Sequence, residues 1–198
     1  NIELISCSKN NGPGHNRNLA WSKCNTDYIA FCDDDDYWYI DKLKKQIQIF
    51  ELKKNVKLVA SKKKIINRNS INKLRKELKF SKLYFYLLIF KNTIPTSSVI
   101  IRSELADRFL SEYYAEDYYL WLSLLKKKHE CYIINEYLCE KIHLNKSNLS
   151  DKIIELNKGV QNVLNHFYSK NLLNNLIVTL AKFYYYFKLI IKIYIKTN

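Results

Sequence analysis

Four consecutive aspartates, Asp33 to Asp36, follow the short apolar segment 28–32 and precede two aromatic residues, Tyr37 and Trp38. Adjacent carboxylates repel one another, so holding them together at the end of a buried strand calls for a cation. Mg²⁺ and Mn²⁺ prefer oxygen ligands and often share them with substrate phosphates. Ligands of open α/β sheets bind just outside the carboxyl ends of the strands. The segment therefore indicates a metal–phosphate site; the alternative is a solvated acidic loop that caps the next helix.

Four residues elsewhere in the chain have side chains that could serve such a site. Arg17 lies near the start of a predicted helix, where a guanidinium and backbone N–H groups can meet a phosphate, or where the arginine pairs with an acid. Glu116 and Asp117 begin another predicted helix, where they complement its dipole or present a general base to a cleft. His143 follows a predicted strand in a polar segment and is either a surface histidine or a ligand.

Composition restricts the class of protein. The chain has 198 residues with 47% hydrophobic residues, three Gly and two Pro, which suits one domain with a real core and excludes disorder or a repeat array. Its five cysteines lack CxxC spacing, which favours a reducing compartment over a zinc or disulfide framework. The net charge of +14 suits phosphate-bearing ligands, nucleic acid or anionic lipid. A nucleic-acid binder is disfavoured because the front half does not interleave basic with aromatic residues.

Hydrophobic periodicity and turn residues predict the elements that must position these groups. The sequence predicts strands over 3–7, 28–32, 56–60 and 95–102, and a strand pair or extended run over 131–135 and 137–142. It predicts helices over 15–23, 41–54, 72–90, 104–109, 116–128 and 151–168. The three lysines at 62–64 lie just beyond a predicted strand, and we interpret them as a phosphate patch or as a solvated turn.

The C-terminal segment 176–195 is apolar and aromatic, and Lys182, Lys188, Lys192 and Lys196 occur within or next to it. On a helix these lysines fall within an arc of roughly 120°. This pattern is typical of a helix lying in a membrane interface, and the alternative is a helix packed on its own domain. A transmembrane span is disfavoured because no run of about 18 uncharged apolar residues exists. No Asp or Glu occurs after Glu155, so this part of the chain is purely cationic.

Three blocks, in this order, resemble those of the family 2 glycosyltransferases. Residues 11–20 resemble the family's N-x-G … A-R-N-x-G block, residues 28–38 its Y-I-A-F-L-D-x-D-D-x-W block, and residues 116–122 its E-D-Y-D-L-W-L-R block. The resemblance implies a GT-A-like α/β fold, with a Rossmann-like mixed sheet flanked by helices and a C-terminal helical tail. It implies two parts: a glycosyltransferase domain over 1–150 and a helical extension over 151–198.

The resemblance also implies roles for the candidate residues. Asp35 and Asp36, with Asp33, would bind Mn²⁺ or Mg²⁺ on the diphosphate of a nucleotide-sugar donor, and His143 would touch the metal or the pyrophosphate. Asp33, Asp34 and Arg17 would contact the nucleotide. Asp117 would deprotonate the acceptor hydroxyl, with inversion at the anomeric carbon, and Glu116 would shape the site. The acceptor would be a cell-surface glycan or a lipid-linked sugar, and the membrane partner an anionic surface reached through 176–196.

The chain departs from the family pattern in two respects. Ser123 and Lys141 occupy positions where the family usually carries Arg. The family's opening strand and its acidic base-binding block have no counterpart after Asn1, so we expect a chain without part of its donor pocket. Two hypotheses follow: a cytoplasmic transferase, peripheral on the inner face of the membrane, or a non-catalytic, membrane-associated remnant of one.

Overall fold

The structure is a computed structural model that describes residues 2–7, 9–66, 78–110, 114–142 and 153–197. Its strands are β1 (Tyr28–Ala30), β2 (Asp36–Trp38), β3 (Val56–Ile66), β4 (Phe80–Lys82), β5 (Ile100–Arg102) and β6 (Glu130–Ile142). Its helices are α1 (Gly12–Ser22), α2 (Lys42–Leu52), α3 (Phe85–Phe90), α4 (Glu116–Lys126), α5 (Ile153–Ser169) and α6 (Asn175–Thr197), and a 3₁₀ turn spans Thr96–Ser98.

The strands of these ranges form one mixed sheet in the order β1-β5-β3-β6-β2, with β4 also paired to β6. The long strands β3 and β6 run parallel at its centre, and every other pairing is antiparallel. Parallel neighbours need a crossover connection, and the segment between β3 and β6 includes α3 and α4. The predicted mixed α/β sheet flanked by helices is confirmed.

Both faces of the sheet are covered by helices, which is why its central strands are apolar on both sides. One core contains Leu58 and Ala60 of β3 and much of α4, including Trp121. The other contains Val56 and Val59 of β3 together with Ile49 and Phe50 of α2. From Leu58 to Ala60 successive residues enter opposite cores, as the two-residue period of a strand requires. Val56 departs from this alternation, because the register with β6 shifts between Val56 and Leu58.

Two sequence predictions near the sheet are wrong. Segment 3–7 forms no strand, because no described strand lies alongside it to accept its backbone hydrogen bonds. The helix predicted over 72–90 is reduced to α3 in the described part, and Phe80–Lys82 instead forms β4. There the backbone pairs with Tyr132–Ile134 of β6, so a tertiary contact overrides the local helical pattern.

The helix predicted over 104–109 does not form either. Asn18 of α1 holds the backbone of Phe109 at both ends, since its Nδ2 donates to the carbonyl (2.8 Å) and its Oδ1 accepts from the amide (3.0 Å). Arg108 donates to the carbonyls of Leu105 and Asp107. Side-chain hydrogen bonds therefore satisfy carbonyl and amide groups that a helix would have used.

The C-terminal helices α5 and α6 share the core of the α4 side of the sheet. Val163 and Phe167 of α5 and Ala181 and Tyr185 of α6 are buried in it. Gly159 allows α5 to touch the segment before α4, because a Cβ there would lie 2.0 Å from the carbonyl oxygen of Tyr114. No helix within the described ranges is both long and apolar enough to cross a bilayer.

Candidate active site

The aspartate cluster lies beyond the carboxyl end of β1, in the connection to β2 and at the first residue of β2. Asp33, Asp35 and Asp36 are partly buried, and each offers a carboxylate oxygen within 4.8 Å of those of the other two. Asp34 is exposed and lies outside this group. Three carboxylates therefore converge at the edge of the sheet where the sequence predicted a metal–phosphate site.

Each of the three carboxylates is paired with a basic side chain. Arg17 Nη2 of α1 contacts Asp33 Oδ1 at 2.6 Å, and Lys141 Nζ of β6 contacts Asp35 Oδ2 at 2.9 Å. Lys63 Nζ of β3 contacts Asp36 Oδ2. These ion pairs offset the mutual repulsion of the aspartates and fix their orientation, while using one oxygen of each carboxylate.

The donor set fits a hard divalent cation. Mg²⁺ and Mn²⁺ take carboxylate oxygens, and three converge here. The Asp36 side chain is fully buried, and its Oδ1 has no hydrogen-bond partner among the described residues. A buried carboxylate oxygen left unpaired is costly, so a ligand for it is expected. The basic partners then act as the outer contacts that commonly orient ligating carboxylates.

Arg17 connects the aspartate cluster to the start of α4. Its Nη1 contacts Glu116 Oε1 at 2.6 Å, while its Nη2 holds Asp33. Gly14 permits this approach of α1 to α4, because a Cβ at that position would lie 2.5 Å from the carbonyl oxygen of Leu110 and 2.9 Å from Glu116 Cγ. A single guanidinium therefore sets the separation between the aspartate cluster and the residue next to Asp117.

Asp117 is partly buried, with two hydrogen bonds to its carboxylate. Thr96 Oγ1 donates to Oδ2 at 3.0 Å, and the Tyr118 amide donates to Oδ1 at 2.6 Å. Burial and the adjacent charge of Glu116 raise the pKa of Asp117 from 3.8 to about 6, while the hydrogen bonds and Arg17 partly offset that rise. A carboxylate with a pKa near the working pH is suited to act as a general base.

The buried turn Thr96–Ser98 joins the two halves of the site. Ser97 Oγ accepts a hydrogen bond from the Asp33 amide (3.0 Å), and the Ser97 carbonyl accepts one from Trp38 Nε1 (2.7 Å). Thr96 binds Asp117 on the other side. Gln46 of α2 also holds the turn, because its Nε2 donates a hydrogen bond to the Ser98 carbonyl at 2.8 Å. The cluster and the candidate base are therefore fixed to the same turn.

The structure thus brings together most of the residues predicted from the sequence. Asp33, Asp35 and Asp36 converge, and Arg17 ties them to Glu116, whose neighbour is Asp117. His143, the remaining candidate, lies outside the described residues. Sequence reasoning missed Thr96 and Ser97, and it considered Lys63 within the run 62–64 without linking it to Asp36. A polar turn just before a strand was visible at 95–98, but no spacing linked it to either acidic segment.

Comparison with solved structures identifies the fold. The crystal structure of S. aureus TarS 1–349 in complex with UDP-GlcNAc is similar with a TM-score of 0.56 and 17% identity, covering 78% of this chain and 46% of that one. A crystal structure of S. aureus TarS has a TM-score of 0.53 and 16% identity, covering 79% and 27%. At these identities the likeness shows the fold, which is that of a GT-A enzyme.

Sequence comparison gives the particular family. Residues 1–110 match Glycosyl transferase family 2, and the chain belongs to that family. It is 32% identical over 167 residues to the UDP-Glc:alpha-D-GlcNAc-diphosphoundecaprenol beta-1,3-glucosyltransferase WfgD of Escherichia coli, covering 84% of the chain and 65% of WfgD. It is 30% identical over 154 residues to the putative teichuronic acid biosynthesis glycosyltransferase TuaG of Bacillus subtilis (strain 168), covering 76% and 60%. The chain thus spans about two thirds of the length of these relatives or less.

Proposed function

We propose that the protein transfers a sugar from a nucleotide-diphosphate donor to a hydroxyl of an acceptor glycan, with inversion at the anomeric carbon. One observation carries this proposal: Arg17 contacts both Asp33 of the aspartate cluster and Glu116 beside Asp117. A donor diphosphate at the cluster and a base at Asp117 are then neighbouring parts of one site. Such an arrangement suits an in-line displacement, in which the acceptor approaches from the side opposite the leaving group.

In this proposal, Asp117 takes the proton of the acceptor hydroxyl as it attacks. The carboxylate must be ionised for that role, and the pKa of about 6 leaves it mostly ionised at neutral pH while keeping it basic enough to accept a proton. Thr96 fixes its orientation through Oδ2. Glu116 is buried and salt-bridged to Arg17, so it positions the start of α4 and leaves the proton transfer to Asp117.

Asp35 and Asp36, together with Asp33, would hold Mn²⁺ or Mg²⁺, and Asp33, Asp34 and Arg17 would face the nucleotide. When bound, the ion neutralises charge that develops on the departing nucleoside diphosphate. Lys63 and Lys141 keep the carboxylates in place around it. The uncompensated Asp36 Oδ1 is the atom that supports this assignment.

The relatives suggest the substrates. The name of WfgD gives UDP-Glc as its donor and a sugar on diphosphoundecaprenol as its acceptor, and TarS is crystallised with UDP-GlcNAc. We therefore propose a UDP-sugar donor and a lipid-linked sugar acceptor in cell-surface polysaccharide synthesis. This acceptor would place the protein in the cytoplasm, peripheral on the inner face of the membrane, with segment 176–196 near the lipid.

Calorimetry with UDP-glucose or UDP-GlcNAc in the presence of Mn²⁺ tests donor binding. Micromolar affinity, reduced at least tenfold in Asp36→Asn, supports the proposal. Asp27→Asn, a substitution of an exposed aspartate that belongs neither to the cluster nor to the proposed nucleotide contacts, is the matched comparison and should keep wild-type affinity. Wild-type protein measured without Mn²⁺ should lose donor affinity to about the same extent as Asp36→Asn measured with Mn²⁺.

Transfer of radiolabelled sugar to a lipid-linked GlcNAc diphosphate then tests catalysis. Asp117→Asn should retain donor affinity and lose turnover, because the base is removed while the cluster stays intact. Near-normal transfer by Asp117→Asn would refute the base assignment. A chain that binds no donor with or without Mn²⁺ would instead favour the non-catalytic remnant.

A further inference from the structure

The outward side of α6 is apolar along its whole length. Exposed apolar side chains recur along it every three or four residues, which places them on one stripe of the helix; they are Leu176, Leu180, Phe183, Phe187, Ile190 and Tyr194. Phe183 is 71% exposed and Tyr194 is 69% exposed. Over 18 residues the stripe is roughly 27 Å long. A surface helix of a soluble domain normally shows polar residues on this side, so the stripe calls for an apolar partner.

The opposite side of α6 is fixed to the domain. Val178, Ala181 and Tyr185 are buried in the core, and Tyr185 Oη accepts a hydrogen bond from the Asn92 amide at 3.2 Å. Lys182 and Lys188 are half-buried, and Lys182 Nζ donates to Asn165 of α5. Lys182 and Lys188 therefore lie toward the domain side of the helix, Lys192 further along is exposed, and the stripe itself is apolar. The sequence had separated a lysine arc from the apolar remainder of the helix, and it left open which of the two faces the domain.

A second helix extends the apolar side of α6. Tyr86 and Leu87 of α3 are 60% and 70% exposed. Phe90, one turn further along α3, packs against Tyr184 of α6 with ring centroids 6.2 Å apart. We name the stripe of α6 together with Tyr86 and Leu87 the α3–α6 face. Two helices anchored in one core present it, so it is a fixed surface of the domain.

The charge around the α3–α6 face indicates which partner covers it. Residues 156–198 contain six lysines and no acid. Two copies of the chain joined through this face would set two domains of net charge +14 against each other, which like charges disfavour. An anionic bilayer offers an apolar interior for the stripe and phosphates for the lysines above it, and tyrosines suit the interface between the two. A polyanion such as nucleic acid offers the charge and no apolar partner.

We propose that the α3–α6 face docks on an anionic lipid bilayer, with the stripe of α6 at the acyl boundary and the lysines at the level of the headgroups. The proposal deepens the membrane placement of the proposed function by naming the surface that docks, while the exposure and charge that support it do not depend on glycosyl transfer. It agrees with a lipid-linked acceptor, because a site built on the same core would then be held at a fixed height above the membrane.

Sedimentation of the whole chain with vesicles tests the proposal in the absence of any donor or acceptor. The probes are vesicles of phosphatidylglycerol and phosphatidylcholine in equal parts, and vesicles of phosphatidylcholine alone. We expect the affinity for phosphatidylcholine vesicles to be lower by about tenfold or more than the affinity for the vesicles that contain phosphatidylglycerol. Added salt should weaken binding to the latter. The double variant Phe183→Ser, Phe187→Ser should lose about tenfold or more in affinity, since two exposed aromatic anchors are removed.

A matched pair of leucines controls for hydrophobicity in general. Leu176 of α6 and Leu52 of α2 are exposed to the same degree, 68% and 69%, and only the first belongs to the α3–α6 face. Leu176→Ser should weaken vesicle binding and Leu52→Ser should not. Equal effects of the two, or equal binding to both vesicle types, would overturn the proposal. A second outcome would also overturn it: light scattering shows a dimer, and the double variant Phe183→Ser, Phe187→Ser dissociates that dimer without changing vesicle binding. The face would then be covered by a second copy of the chain.

Discussion

Replacing Thr96 with Val should shift the pH dependence of transfer, because Thr96 is the side chain that donates a hydrogen bond to Asp117. The Thr96 hydroxyl donates to Oδ2 at 3.0 Å and stabilises the ionised carboxylate. Valine has nearly the same shape and no donor. Removing the hydrogen bond therefore destabilises the ionised form of Asp117, so the pKa of Asp117 must rise above its present value of about 6.

The size of the shift follows from the strength of such a bond. A hydrogen bond to a charged group contributes about 1.5–3 kcal/mol, and one pKa unit corresponds to about 1.36 kcal/mol. Asp117 is only partly buried and keeps its bond from the Tyr118 amide, so we take the lower end of this range. The pKa of Asp117 in Thr96→Val should therefore rise by about one unit, to about 7. Thr96→Ser keeps the hydroxyl and should resemble the wild type.

Two measurements check this expectation. The pH profile of kcat should lose its acidic limb about one unit higher in Thr96→Val, with kcat at pH 9 nearly unchanged. Carboxyl ¹³C NMR of Asp117 should give the same displacement without any substrate, so the result stands apart from turnover. An unchanged Asp117 titration, or the same displacement in Thr96→Ser, would refute the assignment of Thr96 as a positioning residue.

Three further substitutions test the energetics of the fold. Asp117→Asn should gain stability relative to wild type as the pH rises from 4 to 7. The difference in the free energy of unfolding between the variant and wild type should be about 1–3 kcal/mol larger at pH 7 than at pH 4. The raised pKa stabilises the folded state below pH 3.8, and that contribution is lost as the pH rises through about 6. Gly159→Ala should lower the Tm, with a cost of about 1–3 kcal/mol, because its Cβ would overlap the Tyr114 carbonyl. Burial lowers the pKa of Lys42 to about 8, so wild-type stability should rise between pH 8 and 10.5 and Lys42→Met should lack that rise.

Each of these outcomes can be contradicted by urea or thermal unfolding. A stability difference for Asp117→Asn that does not change with pH would show that the carboxylate is not strained when ionised. An unchanged Tm in Gly159→Ala would show that α5 does not press on the segment before α4. Lys42 Nζ lies 4.1 Å from the centre of the Trp38 ring, so Trp38→Leu should lower the stability of wild type and change that of Lys42→Met less.

The sequence was most informative where chemistry and local pattern coincided. The acids at 33–36 follow an apolar strand, so their place at its carboxyl end could be predicted, and Arg17 and Glu116 came from the blocks shared with the family. Lys63 could not be placed, because a run of three lysines has the composition of a solvated turn. In the structure β3 continues through that run to Ile66, which carries Lys63 alongside Asp36.

The misplaced elements share a physical cause, namely partners that are distant along the chain. Phe80–Lys82 has a helical neighbourhood and becomes a strand because β6 pairs with it more than 40 residues later. Thr96 and Ser97 are ordinary turn residues until folding brings Asp117 and Asp33 to either side of them. Local propensity contains no information about such contacts.

Lys63 and Lys141 belong to the two longest strands of the sheet, which pair with each other along their length. When a transferase has released its nucleotide, its clustered aspartates repel one another with no ligand between them. Because Lys63 and Lys141 are carried on paired central strands, they stay beside the aspartates and keep this repulsion from displacing the connection between β1 and β2. The next donor would then meet an arrangement already in place.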